Sequence, residues 1–484
     1  MVGSMKKRSF ACFPSSSASI AMASSSFCDP FDDLPISDSI SDTTTSDKDQ
    51  SEQQQQQFLL ATAIDQPRPS SSSRSSAGFR CLLSFKPHAS GICALAISDH
   101  SLYSGSEDGL VCSYRLADLQ PSDRLAAASS GSVKALLVRR AGLEIYSAHQ
   151  DHKIRAWSRA SPSPPSQHRL IATLPTIRDV VATSIRGSKG LVRIRRHRKS
   201  PWNQHFDTIS SLAVDEAAGI LYSGSWDRSL KAWRLRDLRC LESIGDAHTD
   251  AINALAVAPR GGFLFSASAD SSVKVWRRGK CDRSRKNHKN TKGLSDGLSF
   301  VVELAQPSPV NCIALWGSWV YAGCSDGRIS VWMVAIEQED EASPPRGAED
   351  PSSSESGEEE NQGIRVLREE PEIRVYREEF AALCGHSMSV LSISAARDVV
   401  CSGSADRTIR VWRREDERHS CVCVVQDLHS RCPIKSVIVS IEGIVDGCMV
   451  YSGGLDGFLK AWWVSLRSKP KIFGESPCSV LDYR

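Results

Sequence analysis

Serine, histidine and aspartate recur along this chain at spacings that could run nucleophilic or acid–base chemistry. Asp227 follows Ser223 by four residues, and His205 stands in the loop before them. The same types return as His88, Ser104 and Asp108, as His248, Ser266 and Asp270, and as His386, Ser402 and Asp406. A serine activated by a histidine that a carboxylate orients is the logic of acyl-transfer catalysis. His149 and His152 around Asp151 add a pair of metal-ligand types. The repetition argues against both readings. Seven aspartates, Asp108, Asp151, Asp227, Asp270, Asp326, Asp406 and Asp456, each precede an aromatic residue by six positions. An active site needs one such set. A carboxylate that accepts bonds from a histidine and turn amides, extended by a serine and a tryptophan, can instead fix the register of each repeat. The His149 and His152 pair sits in a turn rather than on a helix face. There is no Gly-rich phosphate loop and no nucleophile elbow. No catalytic residue, cofactor or metal is therefore expected, and the chain reads as a non-enzyme.

The elements that must hold these residues are short strands. Residues 239–276 parse as RCLESI, AINALAV, FLFSAS and VKVW, four strands separated by turn-forming residues. Asp108-Gly109, Asp326-Gly327 and Asp456-Gly457 suit tight hairpin turns. Length alone suggests about three domains, but seven copies of one unit imply stacked repeats that share a core. The fold class is thus all-β.

The S-G-S-x-D-x5-W grammar resembles the WD40-repeat family over residues 79–466. The resemblance implies a seven-bladed WD40 β-propeller, one four-stranded blade per repeat. The layout of residues 80–98 copies that of 239–257, so the first strand should complete the last blade and close the ring. The departures are specific. Arg234, Met333 and Trp463 follow Trp233, Trp332 and Trp462 where the family dipeptide would have Asp. The loop histidine is missing from the second and fifth repeats, where Ser129 and Gln306 stand, and His429 is displaced by one residue in the seventh. Weaker networks are expected in those three. RRHRKSPWNQHFDTISSLAV, LYSGSWDRSLKAWRL and RCLESIGDAHTDAINALAV further resemble the plant JINGUBANG-type subfamily. That likeness implies a plant regulatory protein of cytoplasm and nucleus, acting in growth control such as that of pollen.

The net charge is +3, and charged residues make up 24% of the chain, so global charge points to neither nucleic acid nor membrane. No stretch approaches the roughly 18 apolar residues of a spanning helix. The 16 cysteines lie scattered with no C-x-x-C pair, as reduced core thiols of an intracellular protein would. Residues 1–78 are Ser-rich and 467–484 form a second tail. The first should be disordered; its acid-free start carries a faint organelle-targeting character. Three inserts interrupt the repeats. Residues 175–204 contain RGSKGLVRIRRHRKSPW, where LVRIRRHR could add a local strand, and 277–298 open on RRGKCDRSRKNHKNTK. Either basic run could be an import signal or a nucleic-acid contact, although stacking aromatics are sparse. Residues 335–365 are acidic, with a serine cluster open to phosphorylation, and should be disordered.

The residue before each repeat Asp should face one side of a propeller: Glu107, Gln150, Trp226, Ala269, Ser325, Ala405 and Leu455. Trp226 stands out as a hot-spot type. With Arg193, Arg195, Arg196 and Arg198 it forms the candidate partner surface, together with Glu107, Gln150, Ser325 and Leu455. The expected function is a monomeric scaffold or adaptor that binds other proteins and no membrane. Nucleic-acid association through the basic inserts is the rival. A ubiquitin-ligase substrate receptor is disfavoured, because no repeat carries an acid after the aromatic and a base two positions later.

Overall fold

The computed structural model describes residues 78–126, 131–160, 167–185, 191–195, 198–259, 262–279, 297–336, 373–375, 381–426, 429, 431–441 and 446–466. Of the tail expected over 1–78 only Gly78 is among these residues, and the tail at 467–484 and most of the second and third inserts lie outside them.

Alternation of small and apolar residues builds seven antiparallel sheets in chain order. Blade 3 is typical: Ile209–Asp215, Ile220–Ser225, Leu230–Arg234 and Arg239–Ile244 run from inside to outside. The inner strands are Ile92–Ile97, Val133–Arg139, Ile209–Asp215, Ile252–Val257, Val310–Trp316, Val390–Ala396 and Ile434–Ser440, and each touches the next, the seventh touching the first. The molecule is therefore a closed seven-bladed propeller. Its last blade is completed from the other end of the chain: Phe79–Phe85 pairs antiparallel with Leu459–Ser465, Phe79 opposite Val464 and Phe85 opposite Leu459. That closure removes the open edge a ring of consecutive repeats would leave.

The second strand of a blade is the most buried, as in Ile220–Ser225, where every residue is buried. Seven apolar clusters fill the seven gaps between blades, each built from both neighbours. Trp233 closes the gap between blades 2 and 3 and Trp276 that between blades 3 and 4. This explains the glycine of the repeat. A Cβ on Gly224 would come within 2.8 Å of Ile252 Cγ2 in the next blade, and Gly105, Gly323, Gly403 and Gly453 meet the same obstacle. At these five positions a methyl group would push neighbouring blades apart.

Every inner strand carries a bulge at its second residue: Cys93, Lys134, Ser210, Asn253, Asn311, Leu391 and Lys435. In three consecutive blades the bulged side chain bonds the next blade. Ser210 Oγ donates to Ile252 O at 2.5 Å, Asn253 Nδ2 to Val310 O at 2.8 Å, and Asn311 Nδ2 to Val390 O at 3.1 Å.

The inserts grow from this scaffold. Residues 175–204 carry a strand pair, Leu191–Arg195 with Arg198–Pro201, and also a helix that the alternation of LVRIRRHR did not suggest: α1, Ile177–Ile185. Thr176 caps it, its hydroxyl accepting from the Asp179 amide at 3.2 Å and donating to the Asp179 carboxylate at 2.7 Å. Of the second insert, Arg277 and Arg278 end the third strand of blade 4. In blade 5 the third strand, Ile329–Ile336, pairs with both Ala381–Leu383 and Ile373–Val375.

Candidate functional site

Each repeat aspartate closes a turn between the second and third strands. In blade 3, Asp227 Oδ1 accepts from the Ser229 amide at 2.9 Å and from the Ser229 hydroxyl. Its Oδ2 accepts from the Phe206 amide at 2.7 Å and from His205 Nδ1 at 3.2 Å. The other ring nitrogen of His205 accepts from Ser223 Oγ at 2.8 Å, and that oxygen accepts from Trp233 Nε1 at 2.9 Å. The chain Trp→Ser→His→Asp fixes the neutral tautomer protonated on Nδ1. The Trp276, Ser266, His248, Asp270 and the Trp412, Ser402, His386, Asp406 relays repeat it. In blade 1, Tyr114 and Ser104 share a hydrogen bond where the tryptophan would donate. No metal cluster occurs among the described residues.

The three repeats expected to be weaker differ among themselves. In the seventh, His429 reaches Asp456 Oδ1 at 3.0 Å and Ser452 at 2.9 Å, so the displaced histidine still joins the relay, but Asp456 Oδ2 is buried without a partner and the network is weaker, as expected. In the second, the chain supplies a substitute from the strand. His149 Nε2 accepts from Ser147 Oγ at 2.8 Å, while Nδ1 donates to Gly131 O at 2.9 Å. Asp151 pairs instead with the buried Arg155 guanidinium at 2.6 Å and 3.1 Å. His149 is therefore a core histidine with both nitrogens engaged. The fifth repeat is the most depleted. Ala322 replaces the serine, and Asp326 receives the Arg328 amide at 3.0 Å and the Arg328 side chain at 3.8 Å.

Burial and pairing shift these groups in a consistent sense. Burial drives His88, His205 and His248 down, against the pull of their aspartates, and drives His149 to about 4. Burial pushes Asp227, Asp270, Asp406 and Asp456 upward, but imidazole, hydroxyl and amide donors outweigh it and hold them below the usual carboxylate range. A histidine lowered by folding contributes stability that is whole above its unfolded value near 6.5 and is lost as pH falls toward its folded value. A lowered aspartate contributes stability that is whole above about 4 and is lost below it. The protein should thus weaken in two stages on acidification, first between about pH 6.5 and 4.5 and then below 4. Urea unfolding should show His149 alone costing about 3 kcal/mol over the first window. His149→Gln should flatten that slope; an unchanged slope would contradict the assignment.

The residue before each aspartate has one geometry in all seven blades. Its amide donates to a carbonyl at the entrance of the inner strand: Glu107 to Gly91, Gln150 to Ser132, Trp226 to Thr208, Ala269 to Ala251, Ser325 to Pro309, Ala405 to Ser389 and Leu455 to Pro433. These side chains therefore ring one face. Glu107, Gln150, Trp226 and Leu455 are exposed, Trp226 by 43%. Ser325 is half-buried and receives Asn311 Nδ2 at 3.1 Å. Leu455 lies against Gly91, where a Cβ would strike it.

The chain carries WD40 repeats by direct comparison. The family model described as "WD domain, G-beta repeat" matches residues 79–115, 197–234, 238–277, 299–333 and 377–413. The described residues form a seven-bladed β-propeller whose matched stretches are WD40 repeats. The second and seventh repeats, outside that match, fold as blades like the rest. Among solved structures the propeller is similar to the WD40 beta propeller domain of Doa1, at 16% identity and a TM-score of 0.52, over 80% of this chain and 97% of that one. At that identity the likeness concerns the fold. No curated sequence matches the chain. WD40 propellers generally act in protein–protein interaction and are typically non-enzymatic.

The first basic insert of this propeller joins the Trp226 face. It follows the outer strand of blade 2 and ends at His205 and Phe206, which the Asp227 turn grips. Arg193, Arg195 and Arg198 lie on the strand pair; Arg196 is outside the described residues. Two further buried polar residues, one holding the insert and one joining two blades, were not singled out from sequence. Lys231 is buried, which pushes its ammonium pKa down, and its Nζ donates to Trp202 O at 2.7 Å and to the Ser243 hydroxyl. His168 joins blades 1 and 2, contacting Asp123 at 3.0 Å and Gly142 O at 2.9 Å. Lys231 shares its place two residues before the repeat aromatic with Arg155, Lys274, Arg410 and Lys460, a recurrence that could have announced it, whereas His168 belongs to no repeat position.

Proposed function

We propose that this WD40 propeller is a non-enzymatic scaffold whose partner surface is the face bearing Trp226. The exposed indole carries the reading: a large aromatic on a rigid turn, bonded through its backbone to the root of the 175–204 insert, is the kind of anchor around which binding energy concentrates. Glu107, Gln150 and Leu455 extend the same face. The sequence likeness to JINGUBANG-type proteins supports a plant regulator working in cytoplasm and nucleus, with growth control as its process. The rival reading, nucleic-acid association, rests on the arginine-bearing strand pair beside that face.

Cross-linking and affinity capture with the full chain test the scaffold reading. Trp226→Ala should lose the partners that wild type retains, while Trp316→Ala, a comparably exposed tryptophan at the end of the first strand of blade 5, should keep them. Equal capture by both variants would remove Trp226 from the interface. A titration against generic DNA and RNA at two salt concentrations tests the rival. Nucleic acid would show log affinity falling by roughly 0.7 to 0.9 per phosphate contacted for each unit of log salt. A protein partner anchored on Trp226 should show a shallow slope.

A further inference from the structure

The bulges of the seven inner strands lie at the strand ends where the amides of Trp226 and its counterparts bond, so they circle the entrance of the ring on that face. The circle has two unlike arcs. In blades 3, 4 and 5 the bulged side chains, Ser210, Asn253 and Asn311, are committed to a carbonyl of the next blade. In blades 7, 1 and 2, consecutive around the ring, the same position holds Lys435, Cys93 and Lys134. Neither lysine ammonium has a hydrogen bond or ion pair among the described residues. Both act on the Cys93 thiol: burial raises its pKa, and Lys134 and Lys435, from the blades on either side, oppose that rise. Lys435 opposes the rise that burial gives Cys312 in blade 5 as well, so its charge is felt over the centre of the ring. Ser132 lies beside the Cys93 thiol. It is 7% exposed, and its hydroxyl is buried without a partner. An unmet buried hydroxyl costs stability, and two unpaired cations around one thiol repel each other. One ligand relieves both: an anion that sits between the lysines and accepts from Ser132.

We propose that the arc of Lys435, Cys93, Ser132 and Lys134 is an anion site that receives a phosphate monoester carried on a side chain of the protein partner. The proposal deepens the scaffold reading above and rests on it, because the arc opens on the face that bears Trp226. Charge and donor number select the phosphate. Two ammonium groups match a group of charge near −2, and two ammoniums with one hydroxyl supply donors to its three terminal oxygens. A carboxylate brings one charge and two oxygens, and leaves a cation or a donor unmet. An acid stands at the rim of the arc: Glu107, exposed, meets Cys93 Sγ through Oε1 at 3.8 Å. Its carboxylate repels the incoming anion, and its exposure lets it turn into water as the phosphate enters. Glu107 therefore weakens the site it borders, whereas the lysines make it.

The test uses the full chain and a labelled glycine–serine peptide carrying one phosphoserine. Fluorescence anisotropy should show saturable binding that inorganic phosphate displaces. The same peptide with plain serine should not bind, and with glutamate it should bind about tenfold more weakly. Lys134→Gln with Lys435→Gln should weaken the phosphopeptide by about tenfold or more. Glu107→Gln should tighten it by about threefold, since it removes a repulsion that water only partly screens. Opposite effects from residues around one thiol are not what a merely damaged fold would give. Unchanged affinity in the lysine variant, or unchanged or weaker affinity in Glu107→Gln, overturns the proposal. If the lysine variant melts early, Glu107→Gln, at an exposed position, supplies the readout. Equal binding of the glutamate peptide would assign the arc to carboxylates and overturn the phosphate. Loss of binding in Arg193→Gln with Arg195→Gln, but not in the lysine variant, would move the anion to the strand pair and overturn the site. So would generic RNA that binds wild type, is lost in the lysine variant and is not displaced by the phosphopeptide. Failure of the phosphopeptide while Trp226→Ala still abolishes partner capture would sink this site and leave the scaffold reading standing.

Discussion

A chain lacking residues 1–86 is expected to melt well below the full-length protein and to aggregate, whereas one lacking residues 1–76 melts with it. The longer deletion removes Phe79–Phe85, the outer strand of blade 7, and spares His88, so the relay of blade 1 stays intact. What goes is a ladder of pairs along Leu459–Val464 and two aromatic contacts. Phe85 stands edge-on to Tyr114 at 5.2 Å, and Phe79 packs on the cluster around Trp462. Burial of two phenylalanines and the lost hydrogen bonds together amount to about 5 kcal/mol or more. For a propeller of this size that lowers the midpoint by roughly 5 to 10 °C. The bared edge of Leu459–Ser465 also becomes free to pair with another chain. Calorimetry and light scattering on the two deletions decide the matter; equal midpoints would mean that Phe79–Phe85 does not close the ring.

Asp227→Ala should cost about 3 kcal/mol in urea unfolding, and Asp326→Ala less than about 1 kcal/mol. Asp227 receives two backbone amides, the Ser229 hydroxyl and His205, all at a site almost closed to water. Truncation strands buried donors, which costs more than the bonds themselves contribute. Asp326 sits a third exposed and faces an arginine that water can serve equally well. Asp151→Ala should resemble Asp227→Ala, because Arg155 is nearly fully buried and would keep its charge without a partner. Similar costs for Asp227 and Asp326 would remove the relay from the account of stability.

Much of this was legible in the residues, and for one reason: a repeat writes the same local physics seven times. The Asp-to-aromatic spacing is set by one turn and one strand, so it survives in every copy. Ring closure was readable from the matching layouts of residues 80–98 and 239–257. What sequence hid was compensation over distance. His149 takes over for a missing loop histidine because its side chain enters from the strand, a position that periodicity assigns simply to the core. The His168 and Asp123 contact spans 45 residues and two blades. Helix α1 did carry a local signal, Pro175 and Thr176 followed by Asp179 and a four-residue apolar recurrence, but it is short and flanked by strands, and the alternation of LVRIRRHR beside it is the stronger pattern. The conformation of the arginine run was only half anticipated: a strand pair, with the helix unannounced.

The placement of Phe79–Phe85 also sets a clock on biosynthesis. This strand leaves the ribosome early, yet its partner, Leu459–Ser465, lies about 380 residues downstream. At roughly 5 to 20 residues per second the wait is about 20 to 80 seconds. Through that interval six blades can assemble in order while the first strand, with Leu82, Leu83 and both phenylalanines, has nothing to pair with. Molecular chaperones that hold extended apolar segments would meet it first, and translation speed over the last repeat would set how long they must stay.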